Sequence, residues 1–514
     1  MIVIVHHNNR VVKVLHNAQV IDGYLNQPLT ETFIALASAY PDSLILWCHQ
    51  SCEAHINYEG LTEVFHHQRI LASFYIGSHY LPEQIDYVER SYYLKINKQV
   101  TYPTWLMSSM VGGVHASVVN TVTSIFPKSS PFDYYLNSLA KHGMTQGLFC
   151  YSSPDLLKEN VSISYQQETA SISILYQFVK QHYKWVWVYF LTLALYVYEK
   201  RLPIAAFLKS LFYKQQHFDF ELEQITIDSL KQVNTTTTVD VIIPTIGRKK
   251  YLYDVLVDLS KQTQLPNHVV IVEQNPDPNS ISELDYLTTQ DWPFNIKHTF
   301  THQTGVCNAR NIALSQVESE WTLLGDDDNR LEADVIASLL EAVTKYGVTV
   351  GTTVYLQPHE TQTYLNTAQT SIFGAGNSLI KSELIKQVQF DKRYEFNYGE
   401  DNDFGMQLRH LGEDVIYFAD IKITHLKAPM GGYRTKVKQL WEDDLIQPKP
   451  SPTIYLLHST YFTSNQLQGY QLLLGLKSYK RSHEKNPFKF VKQFKTKWQK
   501  SAEWSQKLTQ SINA

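Results

Sequence analysis

Gly325-Asp-Asp-Asp-Asn329 places three carboxylates in succession directly after the apolar run Trp321-Thr-Leu-Leu324. Neighbouring carboxylates repel unless a cation sits among them, and a hard divalent ion with oxygen ligands, which also bridges substrate phosphates, answers that need. Open α/β sheets bind ligands at the carboxyl ends of their strands, where this triplet falls. The plainer alternative is an acidic turn in which one Asp caps the following helix. A second acidic group, Tyr398-Gly-Glu-Asp-Asn-Asp-Phe404, precedes the helical run Gly405 to Leu411. Carboxylates there favour the positive end of a helix dipole, and one of them is also suited to act as general base towards an acceptor hydroxyl. The third segment is Thr304-Gly-Val-Cys-Asn-Ala-Arg-Asn-Ile-Ala-Leu314. Gly305 permits close backbone approach, and Arg310 and Asn311 offer donors near a helix start, an arrangement suited to a pyrophosphate or ribose. An ordinary helix with a surface Arg fits the same residues.

Strands and helices must position these groups. Val241-Ile-Ile243 reads as a strand ending at Pro244, Tyr251 to Gln262 as a helix, and Val269-Val-Ile-Val272 as a second strand. Cys307 to Val317 reads as a helix, and Trp321 to Leu324 as a third strand running into the acidic triplet. Upstream, Ile2-Val-Ile-Val5 and Leu44-Ile-Leu-Trp47 are strand-like, while Leu29 to Ala39 and Ser117 to Ile125 have helical spacing. Such alternation predicts an α/β layer architecture. Between Ser171 and Tyr213 lie two aromatic, Lys-flanked helical stretches separated by Arg201-Leu-Pro203, and Asn234-Thr-Thr-Thr-Thr238 is a polar break that marks the main boundary to within about ten residues. The expected organisation is an α/β domain over 1–165, a helical connector over 166–235, an α/β domain over 236–435 and an extension over 436–514. Asn486 to Ala514 closes the chain as one amphipathic helix, with Phe490, Val491, Phe494 and Trp498 on one face among five lysines.

Composition limits the function. Of 514 residues 44% are hydrophobic and 18% charged, so the chain builds a packed core. A formal net charge of −4 argues against nucleic-acid binding through bulk positive charge. Four cysteines do not make a disulfide framework in a chain of this length, and Cys48-His-Gln-Ser-Cys52 with His55 fits no common zinc spacing. No charged segment followed by an apolar core opens the sequence, so a reducing cytoplasm is the expected compartment, where the sequons at Asn160 and Asn234 carry no meaning. The longest apolar run, Trp185 to Tyr198, is shorter than the roughly 20 residues of a membrane-spanning helix.

In order along the chain, Val241-Ile-Ile-Pro-Thr-Ile-Gly-Arg248, Val269-Val-Ile-Val-Glu-Gln274, Gly305-Val-Cys-Asn-Ala-Arg-Asn311, Asp326-Asp-Asp328 and Glu400-Asp-Asn-Asp403 resemble the motifs of the family 2 glycosyltransferases, which have the GT-A fold. The resemblance covers roughly residues 239–430. It implies that Pro244, Thr245 and Arg248 lie near the base or ribose of a nucleotide-sugar donor. Glu273 stands where the family usually has an Asp that contacts the base. Gly305, Arg310, Asn311, Asp326 and Asp327 belong to the donor side. Asp326 and Asp328, joined by His425, are the implied ligands of a divalent ion, Mn²⁺ or Mg²⁺. Asp401 is the implied base, Glu400 holds the acceptor, and Gly431-Gly-Tyr-Arg434 forms a loop from which Arg434 reaches the diphosphate. A single displacement with inversion follows, from a UDP-sugar onto a glycan or lipid-linked glycan of bacterial surface polysaccharide type.

Two rivals stand beside this reading: a non-catalytic glycan-binding scaffold with a transferase fold, and a nucleotidyltransferase. The latter calls for a Gly-rich basic loop after the first strand, where this chain has Pro244-Thr-Ile-Gly-Arg248. Residues 1–165 read either as a degenerate GT-A copy or as an unrelated α/β module. In a copy, Ile2 to Val5 answers Val241 to Ile243, Leu44 to Trp47 answers Val269 to Val272, Gly112-Gly113 falls in the acceptor region, and Phe132 to Leu139 answers the helix after Glu400-Asp401. No acidic triplet accompanies them, so the expected task is scaffolding or holding acceptor. The helices at 182–213 and the Lys/Phe/Trp tail either dock on the anionic inner face of a membrane or pack against the catalytic domain, with the tail favouring peripheral contact.

Overall fold

Short β-branched runs without a polar residue on either face form strands covered on both sides. Ile2-Val-Ile-Val5 is such a run in one sheet, and Val241-Ile-Ile243 and Val269-Val-Ile-Val272 are neighbours in another. The computed structural model describes residues 1–122, 130–158, 168–429 and 437–512. It divides into one unit of Met1–Lys231, Lys345–Gly347 and Thr463–Tyr470, and a second of Gln232–Thr344, Val348–Phe462 and Gln471–Ala514.

In the first unit the strands are β1 (Ile2–His7), β2 (Arg10–His16), β3 (Gln19–Ile21), β4 (Leu44–His49), β5 (Ile70–Phe74), β6 (Tyr102–Pro103), β7 (Val111–His115) and β8 (Phe149–Ser152). They lie in the order β3-β2-β1-β4-β7-β5-β8-β6. β1 runs parallel to β4 and β5 parallel to β8, while β7 is antiparallel to both β4 and β5. The helix Leu29–Ala39 buries Phe33 and Leu36, and Phe33 meets Trp47 and Phe132 edge-on. Gly112 and Gly113 belong to this packing and not to an acceptor pocket. A Cβ on Gly112 would stand 2.4 Å from the Trp47 ring, and one on Gly113 2.6 Å from Leu46.

In the second unit the strands are β9 (Val239–Ile246), β10 (His268–Gln274), β11 (Asn295–Thr301), β12 (Trp321–Gly325), β13 (Asn329–Leu331), β14 (Val350–Leu356), β15 (Ala368–Gln369), β16 (Asn377–Lys381) and β17 (Ile416–His425). Their order is β11-β10-β9-β12-β16-β14-β17-β13, with β15 paired to β17. β11, β10, β9 and β12 are mutually parallel, β16 is antiparallel to β12 and β14, and β14 is parallel to β17. β9 does not stop at Pro244. β12 pairs with it only as far as Ile242, so Pro244 has a strand partner on one side alone, opposite Val272, where a missing N–H is tolerated.

The two sheets share a core topology. β1-β4-β7-β5-β8 and β9-β12-β16-β14-β17 have the same spatial order, chain order and strand directions. A helix precedes the last strand in each, Phe132–Gly143 in the first unit and Glu400–His410 in the second. The N-terminal unit is thus a topological copy that lacks β10 and β11 and carries the antiparallel hairpin β2-β3 in their place. This corrects the expected register: Leu44 to Trp47 answers Trp321 to Leu324, not Val269 to Val272. The acidic triplet is answered by His49-Gln50-Ser51, and Asp401 by Asp133, whose carboxylate accepts from the Ser109 backbone N–H at 2.7 Å and hydroxyl at 2.8 Å.

Two helical expectations also change. The segment from Ser171 to Tyr213 forms three helices, Ile172–His182, Val186–Ala194 and Ile204–Ser210, because the chain breaks at Tyr183-Lys184 as well as at Arg201-Leu-Pro203. The helix predicted from Ser117 to Ile125 is the short Ala116–Asn120, and residues 123–129 lie outside the described residues. The terminal helix Pro487–Ile512 uses its aromatic face inside its own unit. Phe490 meets Tyr479 at 5.0 Å, Trp498 meets Tyr455 at 5.2 Å, and Phe494 is buried. Val491 and Phe488 stay exposed. No helix of the described residues is long and apolar enough to cross a membrane.

Asp240, fully buried on β9, ties the sheet to the loop that enters β12. Its carboxylate accepts from the Glu318 and Ser319 backbone N–H groups at 2.7 and 3.1 Å and lies 2.8 Å from His268 Nδ1. Burial opposes the charge, but these hydrogen bonds prevail and hold the carboxyl below its ordinary value. A group so shifted stabilises the fold above its unfolded pKa and ceases to do so as pH falls through the lower folded value. Asp240→Ala is expected to destabilise the second unit by about 3 kcal/mol near neutral pH. In denaturant titrations the gap from wild type should narrow only below about pH 4. A gap already closed at pH 6 would contradict this account.

Candidate active site

β12 ends where its parallel neighbour β9 still continues, so Asp326, Asp327 and Asp328 emerge beside Thr245 and Arg248. The middle carboxylate faces inward. Asp327 is 3% exposed and accepts from the Thr245 hydroxyl at 2.7 Å and from Arg248 Nη1 at 2.6 Å. Burial pushes its carboxyl up to about 6, against the pull of Arg248 and Thr245. Its geometric effect is to fix the turn after β9.

The outer two carboxylates face a third group. β13 begins at Asn329 and pairs with β17 so that Asn329 stands opposite His425. Ligand atoms of Asp326, Asp328 and His425 all lie within 4.8 Å of one another. His425 Nε2 is 3.4 Å from Asp328 Oδ1, while Asp328 Oδ2 accepts from the Ala428 N–H at 2.8 Å. Burial works against the Asp328 charge, yet His425, the Ala428 N–H and Arg248 hold its carboxyl below the ordinary range. The Tyr355 ring stacks on His425 at 4.6 Å with 7° between planes. Its hydroxyl lies 3.0 Å from Asp326 Oδ2 and 2.6 Å from Asn329 Oδ1.

Arg310 connects this group to the second acidic segment. It is 5% exposed, with Nη2 3.0 Å from Asp326 Oδ1 and Nη1 3.6 Å from Asp401 Oδ1. Asp401 sits in the first turn of Glu400–His410, entered through Gly399 at φ 123°, where a Cβ would stand 2.8 Å from the Tyr394 ring. The Asp401 side chain is 38% exposed although Oδ1 is enclosed without a hydrogen-bond partner among the described residues. Burial, with Glu400 and Asp326 adding to it against Arg310, pushes this carboxyl up to about 7. A carboxylate held there accepts protons near neutral pH. Glu400, one residue earlier, is 7% exposed.

Several predicted residues are not brought into the group. Gly305, at φ 139°, does make room for an anion at the start of the helix Val306–Leu314, but the anion is internal. The Glu395 carboxylate accepts from the Cys307 and Asn308 N–H groups at 3.0 and 2.9 Å, where a diphosphate was expected. Asn311 uses both ends of its amide on the Phe390 backbone, each at 2.8 Å. Glu273, level with Thr245 on the adjacent strand, already holds His298 Nε2 at 3.0 Å and the Glu283 N–H at 3.3 Å. Pro244 keeps its place near the end of β9. Arg434 and its Gly431-Gly432 loop lie outside the described residues.

Tyr355, Asn329, Gly376 and Glu395 were missed from the sequence. Gly376 carries the one readable signal, in Gly374-Ala-Gly376 before β16: a Cβ there would stand 2.2 Å from Asp326 Oδ2 and 2.8 Å from the Tyr355 hydroxyl. Two carboxylates and one imidazole make a donor set able to hold a divalent ion, and Tyr355, Arg310 and the Ala428 N–H fix the two carboxylates from behind. Loss of such a supporting contact typically weakens metal affinity 10–100-fold. Tyr355→Phe is therefore expected to weaken Mn²⁺ binding at least about tenfold by calorimetry, alongside a loss of about 1–3 kcal/mol in the stability of the metal-free protein for the acceptor left unpaired on Asn329. Undiminished affinity would separate Tyr355 from this candidate metal group.

Residues 240–400 match the family described as "Glycosyl transferase family 2". No curated protein matches the chain. Among solved structures, S. aureus TarS 1-349 is 20% identical over 37% of this chain and 60% of its own length, with a TM-score of 0.31. The same fragment in complex with UDP-GlcNAc is 18% identical over 46% of this chain and 70% of its own, with a TM-score of 0.35. GalNAc-T7 with UDP, GalNAc and Mn²⁺ is 13% identical over 40% and 48%, with a TM-score of 0.30. This chain thus spans less than two thirds of the first of these structures. Residues 240–400 are thus a family 2 glycosyltransferase-like segment, and the carboxylates and arginines described above lie in it and directly after it.

Proposed function

We propose that this chain is an inverting, metal-dependent glycosyltransferase that moves a sugar from a nucleotide-sugar donor of the UDP class to a hydroxyl of a glycan or lipid-linked glycan. The observation that carries the reading is Arg310, which touches the carboxylate of a candidate metal ligand with one nitrogen and faces Asp401 with another, so that donor and acceptor chemistry meet at one guanidinium.

Asp326, Asp328 and His425 would hold the ion, which when bound supplies charge neutralisation to a diphosphate leaving group. Thr245 and Arg248, fixed by Asp327, border the nucleotide. Asp401 takes the proton of the acceptor hydroxyl as its oxygen forms a bond to the anomeric carbon. The bond from that carbon to the diphosphate oxygen breaks on the opposite face, and the electron pair leaves with the nucleoside diphosphate. Glu400 orients the acceptor. One base and one displacement give inversion. A position at the inner face of a cell membrane suits a lipid-linked acceptor.

Removing a positioned general base typically costs 10²–10⁴-fold in rate. Asp401→Asn is expected to lower kcat by at least about a hundredfold while leaving the donor Kd within about twofold. Wild type should release nucleoside diphosphate and form a product of inverted anomeric configuration by NMR. Release of pyrophosphate would favour nucleotidyl transfer, and full turnover by Asp401→Asn would remove Asp401 from the mechanism.

A further inference from the structure

The helical segment of the N-terminal unit, residues 183–214, leaves an apolar face in water. Trp185 is 61% exposed and Phe212 88%, and Tyr189, Tyr196, Leu202 and Leu208 are also exposed. Their spacing is that of a face. Trp185, Tyr189 and Tyr196 recur along one side of Val186–Ala194 and the turn that follows it, while Val188, Leu191 and Leu195 on the other side are buried. The helix Ile204–Ser210 adds Ile204 and Leu208, and Tyr189 meets Phe207 at 5.2 Å. Between the two helices runs a shallow groove of about 330 Å³, lined by Tyr189, Thr192, Leu193, Tyr196, Leu202 and Phe207. Contiguous apolar surface of this kind marks an interaction site.

Its charge selects the partner. Lys184, Lys200, Arg201, Lys209 and Lys214 are exposed around the face, and Glu199 is the sole acid between Tyr183 and Lys214. Lys200 and Arg201 occupy the turn between the two helices. A second copy docking symmetrically through the same patch would set these cations against themselves, since a two-fold interface is self-complementary. An anionic lipid surface instead accepts them, with Trp and Tyr at the headgroup level and Leu and Phe below it. We propose that residues 184–214 dock this protein on an anionic bilayer face, an inference that does not rest on the transferase reading.

Co-sedimentation of the full chain, without nucleotide or metal, with vesicles of phosphatidylcholine alone or mixed with phosphatidylglycerol tests this. Wild type should pellet with the mixed vesicles, and less as salt is raised. The double variant Trp185→Glu/Phe212→Glu should lose at least about tenfold in partition coefficient. Lys200→Glu/Lys209→Glu should also fall about tenfold or more on mixed vesicles. All four positions are exposed, so circular dichroism and thermal midpoints should match wild type. Failure of wild type to pellet, or undiminished pelleting of Trp185→Glu/Phe212→Glu, overturns the proposal. A wild-type dimer that this variant splits, with no lipid binding, assigns the face to a second copy instead.

Discussion

Carboxylate crowding at the end of β12 is the constraint on which the rest of the site depends. Asp326, Asp327, Asp328 and Asp401 share two guanidiniums, Arg248 and Arg310, with Glu400 adding a further acid. At an effective dielectric near 20, two like charges 4 Å apart repel by about 4 kcal/mol. The structure answers in two ways: burial pushes Asp327 and Asp401 up towards the neutral form, and Asp328 keeps its charge beside His425. What is left is an excess of negative charge around one imidazole, the electrostatic condition that a divalent cation and an anionic leaving group relieve together.

The N-terminal unit shows the same scaffold without that constraint. Its parallel strand ends offer His49, Gln50 and Ser51 where the second unit has three acids, and its one equivalent acid, Asp133, is satisfied by Ser109. Burial lowers His49 and His6 to about 4, so these side chains are neutral and need no counter-charge. Two nearly identical strand orders therefore carry different chemistry, because the chemistry resides in the residues at the strand ends and not in the sheet.

Local pattern made part of this legible. β9 and β10 are readable from the β-branched runs Val241-Ile-Ile243 and Val269-Val-Ile-Val272, β12 from the apolar run Trp321-Thr-Leu-Leu324, and the helix Leu29–Ala39 has the bounds its periodicity predicts. Asp326, Asp328, Arg310, Asp401 and His425 come together from separate segments. What escaped was non-local. Glu395 reaches the helix start at Cys307 from almost ninety residues downstream, and nothing near Gly305 signals that the anion there is internal. Tyr355 is the penultimate residue of a strand, Val350–Leu356, whose Gly and two Thr hide its apolar pattern. The register of the N-terminal copy was misread because strand similarity alone does not say whether a neighbour pairs directly or across an inserted strand; only the β1-β4 pairing settles it.

The most direct test of the metal-nucleotide account is a calorimetric titration of UDP-, dTDP- and GDP-linked sugars into wild type and Asp328→Ala, each with and without Mn²⁺. The account predicts that one nucleotide class binds only with the ion present and that Asp328→Ala abolishes this binding. No binding of any nucleotide under either condition, or metal-independent binding unchanged in Asp328→Ala, would contradict it.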